Sequence, residues 1–410
     1  MKVLATIVAS LVLAAPAQAQ DVFRLGLGDS LDTVLTTPDG GAWASVWTRD
    51  GVEIRRVAPD GTVRTTPALP PLNALVLGPD GLPWLLSGIS IERVDAAGAL
   101  TTVAADAFGS ALATGPDGTG WMQTEEDQIQ HVAPDGTITT ADVTVPGCAY
   151  FRVETLARAS DDAMWFFASG CGVVRWPRGG TPAVIAQSAD YVQRLVPDAT
   201  GGMWFSSSYA PGGGHIAADG RTLRLRGIER TYDVAVAPDG TAWFTTGRCR
   251  LARANADRSV SLIPTSIPAH EVELTPDGGI WLGSRGRLQR TTLGAAVAPG
   301  CDSTPPKVTL TPRPGKRFTL AALRRNRGLT ITVREPFALQ AAFVDGDGEP
   351  FRRAAKVVAA PRGGSVKLRL SPAELRRLAR SKRPAVRLWG DLRDREGNYL
   401  DLERELRVRR

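Results

Sequence analysis

Residues 232–243, YDVAVAPDGTAW, decide the fold. The segment reads as an alternating run, a Pro-Asp-Gly turn and a second strand entered at the tryptophan. Residues 270–281, HEVELTPDGGIW, repeat it, and the same twelve-residue frame ends at Trp43, Trp84, Trp121, Trp165, Trp204, Trp243 and Trp281. Seven of the ten tryptophans therefore hold one recurring position. A third strand follows each frame, then a turn such as Ala58-Pro59-Asp60-Gly61 and a fourth strand such as residues 62–66. Four short strands in about forty residues is the period of a β-propeller blade, so seven frames predict seven blades. The last blade needs an outer strand. Residues 22–25, ahead of the first frame, have no blade of their own and read as that strand, a clasp, with a strand at residues 295–299 as the rival.

The chain of 410 residues has room for that propeller and one smaller domain. Residues 1–19 read as a secretory signal peptide: Lys2, an apolar run over 3–15, then Ala17-Gln18-Ala19 as a small-x-small cleavage site. No later stretch is long and apolar enough to span a bilayer. The mature protein is expected to be secreted, extracellular or cell-surface associated. Residues 20–301 form the expected propeller, 302–306 a linker, and 307–410 a second domain. That domain shows about seven strands in roughly a hundred residues, the pattern of an immunoglobulin-like β-sandwich. Ser371-Pro372-Ala373-Glu374 opens a short helix within it, and residues 394–398, DREGN, read as a hairpin turn. The fold class is all-β.

Charge divides along the same boundary. Residues 1–304 carry a net −8 and residues 305–410 a net +15, which together give the overall +7. A strongly basic domain outside the cell is attracted to anionic envelope polymers or phospholipid headgroups, and export argues against nucleic acid as partner. The chain reads as a monomer.

Four cysteines in an exported chain imply two disulfides, with three possible connectivities. Cys148 precedes the first strand of blade 4 and Cys171 follows its second, which puts both at one end of a hairpin. Cys249 and Cys301 pair by elimination and would staple the seam where the ring closes.

Aligning the seven frames separates two kinds of position. The third is aliphatic throughout: Val34, Leu75, Leu112, Leu156, Leu195, Val234 and Val272. It is expected to pack between blades. The first is polar throughout: Asp32, Asn73, Ser110, Glu154, Gln193, Tyr232 and His270. Inner strands line a propeller's channel, so these seven should ring its mouth as a concave ligand site. On closure, Asp32, His270 and Tyr232 fall on three consecutive blades. A carboxylate beside His270 would raise its pKa and suit it to act as general base or ligand contact. His131 reads as a solvated third-strand residue and His215 as part of a flexible glycine loop. Glu125-Glu126-Asp127 reads as an exposed turn. Residues 345–349, DGDGE, lack the remaining ligands of a calcium loop.

The repeat of Pro-Asp-Gly, aliphatic-Trp-aromatic and a second Asp-Gly resembles the streptogramin B (virginiamycin B) lyases over roughly residues 22–300. The resemblance implies a seven-bladed propeller. It also implies an activity: a C–O lyase that opens a cyclic depsipeptide by elimination with Mg2+. Of the residues that carry this chemistry in the family, the histidine opening the final blade is matched by His270. The glutamate two residues earlier is replaced by Pro268, the second histidine by Tyr232, and a further glutamate by Arg285. An arginine in place of a metal-binding carboxylate opposes a cation. The leading expectation is therefore a secreted binding protein for a small molecule, peptide or glycan at the propeller mouth, with no cofactor required. A lyase using His270 and Mg2+ is one alternative, and a scaffold for protein–protein contacts is another.

Overall fold

A computed structural model describes residues 20–409 except for 27–28, 67–68, 79, 88, 96, 108, 116, 125–127, 149–150, 188–190, 210–211, 229, 256–258, 293–300, 303, 316–317, 346–355, 361, 382–383, 395–397 and 403. The signal-peptide segment, the Glu125-Glu126-Asp127 turn, the rival strand at 295–299 and most of the calcium-like loop lie outside the described residues.

Seven four-stranded antiparallel sheets succeed one another along the chain. Their inner strands are Ser30–Thr36, Leu72–Leu77, Ala111–Thr114, Arg152–Arg158, Arg194–Pro197, Val234–Val236 and Glu271–Leu274. Six blades are continuous in sequence. In the seventh, Gln20–Arg24 pairs antiparallel with Arg287–Thr292 and completes the sheet from the other end of the domain. The clasp reading of residues 22–25 therefore holds, two residues longer at its start. Both disulfides follow the expected pairing, Cys148–Cys171 and Cys249–Cys301, with Cα atoms 5.8 Å apart in each.

The frame explains how neighbouring blades adhere. All seven third-position aliphatics are buried. Each shares an apolar cluster with the frame tryptophan of the preceding blade. Leu75 packs with Trp43, Leu112 with Trp84, Leu156 with Trp121, and Leu195 with Trp165. Val234 packs with Trp204, Val272 with Trp243, and across the closure seam Val34 with Trp281. One residue of the repeat thus buries the knob and another lines the socket, and the seven repetitions close the ring.

Directly across from each frame tryptophan stands a cationic or imidazole side chain that the sequence pattern did not single out. These partners are Arg56, Arg93, His131, Arg175, His215, Arg253 and Arg290. Arg56, Arg253 and Arg290 lie over the indole rings at 5.5, 5.7 and 5.6 Å. The aspartate of the frame's turn holds the cation in place in several blades, as Arg56–Asp39 at 2.6 Å and Arg290–Asp277 at 2.7 Å. The two histidines belong to this layer: His131 lies in a third strand as expected but half-buried, and His215 is in a strand where a flexible loop was expected. His131 packs edge-on to Trp121 at 4.6 Å. His215 lies within the strand Gly213–Ile216, 4.9 Å from the Trp204 ring, and its Nε2 meets the Asp198 carboxylate at 2.5 Å.

The C-terminal domain is a two-sheet sandwich. Its first, second and fifth strands (Val308–Thr311, Gly328–Val333, Gly364–Arg369) form one sheet. In the other, Phe337–Asp345 lies between Lys356–Ala360 and Ala385–Asp394. The expected last strand is broken into Tyr399–Asp401 and Arg404–Arg407, both paired with Ala385–Asp394. This is the strand order of an immunoglobulin-like sandwich whose fourth strand joins the opposite sheet. Phe318, Leu329, Ile331, Phe337, Leu339 and Leu388 fill the core between the sheets. The expected helix forms at Pro372–Arg380 with a complete Ser371/Glu374 capping box. A second helix, Leu320–Asn326, was not anticipated, although Thr319 caps it through its side chain.

Candidate functional site

The first-position residues reach the channel through a local irregularity of the strand. In a regular strand they would share a face with the buried third position. In blades 1, 2 and 4 a β-bulge sits at that place, between Leu31 and Thr33, Leu72 and Ala74, and Val153 and Thr155. The bulged residues Asp32, Asn73 and Glu154 are thereby released from the ladder. In blades 3, 5, 6 and 7 the equivalent residue stands just ahead of the strand, where the backbone N–H of Ser110, Gln193, Tyr232 and His270 donates to the second strand.

Asp32, Asn73, Ser110, Glu154, Gln193 and Tyr232 all line one cavity of about 760 Å³ running into the channel. Six of the seven expected ring residues are therefore brought together. Some of them also stitch blades. Asn73 Nδ2 donates to the Gly109 carbonyl at 2.8 Å, and the Gln193 amide is placed to donate to Thr231 O at 3.1 Å. Asp32 and Glu154 make long contacts: Asp32 accepts from the Thr33 and Ser45 hydroxyls at 3.4 and 3.5 Å, and Glu154 from the Tyr191 hydroxyl at 3.5 Å.

His270 is the exception. It is absent from the cavity wall, where blade 7 contributes Glu271 and Glu273 instead. Its ring packs against Tyr232 at 4.9 Å, and its Nδ1 is buried without a hydrogen-bond partner. Burial first, then the positive charges of Arg285 and Arg393, lower its pKa to about 4, while the Pro268 carbonyl opposes the shift. The expected elevation by Asp32 does not occur, because Asp32 acts on Glu271 and not on the imidazole.

Below the ring lies a charged layer that the frame alignment passed over. It comes from the second frame position of three consecutive blades, Arg194, Asp233 and Glu271, and from the fourth position of the last, Glu273. Arg194 Nη1 donates to Asp233 at 2.8 Å, and its Nη2 pairs with Glu273 two blades away. Asp233 also accepts from the backbone N–H groups of Val234 and Val272, each at 2.8 Å, which ties blade 6 to blade 7. Burial raises Glu273 to about 7 against the opposing pull of Arg194. Burial, then the negative charge of Asp233, pushes Glu271 well above the carboxylate range. The signal for this layer was present: charged residues recur at matched frame positions, where other blades carry alanine, threonine or aliphatics.

The surroundings of His270 do not suit a divalent cation. Pro268 and Tyr232 offer no carboxylate or imidazole, and Arg285 brings positive charge. Among the described residues no three His, Cys, Asp or Glu side chains are grouped to hold a metal.

No family model and no curated protein matches the sequence. Solved structures do. A streptogramin B lyase aligns over 67% of this chain and 97% of its own, at 18% identity and a TM-score of 0.56. The virginiamycin B lyase of Staphylococcus aureus aligns over 68% and 99%, also at 18% and 0.56. The extracellular domain of BT4673 from B. thetaiotaomicron, described as a one component system, covers 96% of this chain and 59% of its own length at 11% identity and 0.54. What these similarities establish is the architecture: a β-propeller of the kind found in the streptogramin B lyases, here continued into a further β domain.

Proposed function

We propose that the protein is an exported binding protein that takes a small polar ligand into the propeller mouth. The observation that carries this reading is the convergence of ring residues from six blades on one 760 Å³ cavity, a size typical of small-molecule sites. The two disulfides accord with export. The C-terminal domain serves as a tether to anionic envelope polymers. In support, its two helices pack together and expose Arg324, Arg325, Arg327, Arg376, Arg377 and Arg380.

The test is a panel of polar metabolites, short peptides and glycans, observed by ligand-detected NMR on wild type and on Ser110→Trp, which plugs the channel. Hits should be lost in the plugged variant; hits retained there would refute the mouth as the site. Incubation with a streptogramin B, with and without Mg2+, should leave the depsipeptide ring closed. Magnesium-dependent ring opening would restore the lyase reading.

A further inference from the structure

The cavity wall carries five carboxylates, Asp32, Glu154, Asp233, Glu271 and Glu273, against one cation, Arg194. Arg194 is already engaged by Asp233 and Glu273. Among the described residues Asp32, Glu154 and Glu271 form no salt bridge, and the Glu271 side chain, which makes no hydrogen bond either, feels Arg194 only as a neighbouring charge. Its place is built. Gly283 stands opposite it in the ladder, and a Cβ there would come within 2.9 Å of Glu271 Cβ and 2.5 Å of Leu31. The chain thus keeps a glycine where Glu271 needs room to lie. An independent feature lies beside Glu154. Tyr191 and Tyr209 stand 6.4 Å apart, nearly perpendicular and 38% and 59% exposed, with the Tyr191 hydroxyl at the Glu154 carboxylate. Aromatic faces next to a carboxylate are favourable surroundings for an organic cation.

We propose that the ligand of the channel is a small organic cation, a primary amine or guanidinium compound, whose charged end is received by Glu271. This rests on the reading of the mouth as a binding site. A cation relieves the excess negative charge of the wall and supplies Glu271 with the partner it lacks. An anion would meet three carboxylates and an arginine that is already paired. Asp32 from blade 1, Asp233 from blade 6 and Glu273 from its own strand favour the protonated form of Glu271, and Arg194 from blade 5 opposes them. Docking of an ammonium group therefore drives a proton off Glu271, and binding strengthens as pH rises.

The experiment is calorimetric titration of the full chain with agmatine and spermidine, and with the neutral probes triethylene glycol and N-acetylglucosamine, at physiological ionic strength. Expected is saturable binding of a cationic probe at least about tenfold tighter than either neutral one. Heats should differ between phosphate and Tris buffers, reporting the released proton. Glu271→Gln should weaken that binding about tenfold or more and abolish the buffer dependence, while raising thermal stability because a costly buried carboxyl is gone. Asp219→Asn, on an exposed turn away from the cavity, should change nothing. Binding of cations by Glu271→Gln at wild-type strength overturns the proposal. So does a panel in which no cationic probe binds. Neutral probes that bind and are excluded by Ser110→Trp, with cations ignored, overturn it while leaving the mouth reading intact.

Discussion

Glu273 shows how a single channel residue couples the fold to pH. Its carboxyl is 18% exposed, paired with Arg194, and raised by burial from the ordinary 4.5 to about 7. Between those values the folded state holds a proton that the unfolded chain has released. Its contribution is therefore complete below pH 4.5 and lost as pH rises to about 7, a swing on the order of 3 kcal/mol. Glu273→Gln cannot ionise, so its stability relative to wild type should climb by about that amount between pH 4 and pH 8, read from denaturant unfolding at each pH. A constant difference would show that Arg194 fully offsets the burial. His270 acts in the opposite sense: with a folded pKa of about 4 it stabilises above pH 6.5 and loses that contribution as pH falls toward 4. Both proteins in the comparison keep it, so its effect cancels.

The decisive element is the blade interface, a frame tryptophan against the aliphatic third position of the next blade. Trp281 is fully buried at the closure seam, in one cluster with Val34. Trp204 sits in the equivalent place between blades 5 and 6 but is only partly buried. Trp281→Ala should cost about 3–5 kcal/mol and Trp204→Ala distinctly less, measured by equilibrium unfolding of the two variants side by side. Equal costs would mean that the tryptophans act through strand pairing and not through the interface. This layer was legible because it repeats: seven aliphatics and seven indoles at fixed spacing leave little freedom in which residues are buried. The cationic partners across from the indoles repeat as well. They fall on the third strand, outside the twelve-residue frame, so alignment on the frame alone does not bring them into register.

At the scale of the molecule, blade 7 is where the ring is made. It takes its outer strand from Gln20–Arg24, and the Cys249–Cys301 bond joins blade 6 to the chain beyond blade 7. Replacing both cysteines with serine should cost about 2–4 kcal/mol. Removing residues 20–25 as well should leave Arg287–Thr292 as an open edge and promote self-association. Thermal unfolding with light scattering would check both, and a clipped, reduced chain that scatters no more than the intact one and is equally stable would contradict this account of closure. Beyond the ring, Asn398 Nδ2 donates to the Asp302 carbonyl at 3.0 Å, so the final hairpin of the sandwich is anchored to the start of the linker.

The repeat by itself determined seven blades, the residues that pack between them and six of the seven polar side chains that line the mouth, because each depends on local spacing that recurs. Tertiary structure alone decided which end of the chain closes the last blade. A clasp pairs residues separated by nearly the whole propeller, so the sequence favours it only through the spare strand at 22–25 and the shortness of 295–299, and the pairing itself is tertiary. Tertiary structure also decided the character of the channel. The pairing of Arg194 with Asp233 and Glu273, and the unpartnered state of Glu271, depend on three blades meeting around one axis. His270 changed meaning for the same reason. In sequence it opens the final frame like its six counterparts, but in the folded ring Tyr232 and Arg285 surround it, and the channel wall of blade 7 passes to Glu271 and Glu273.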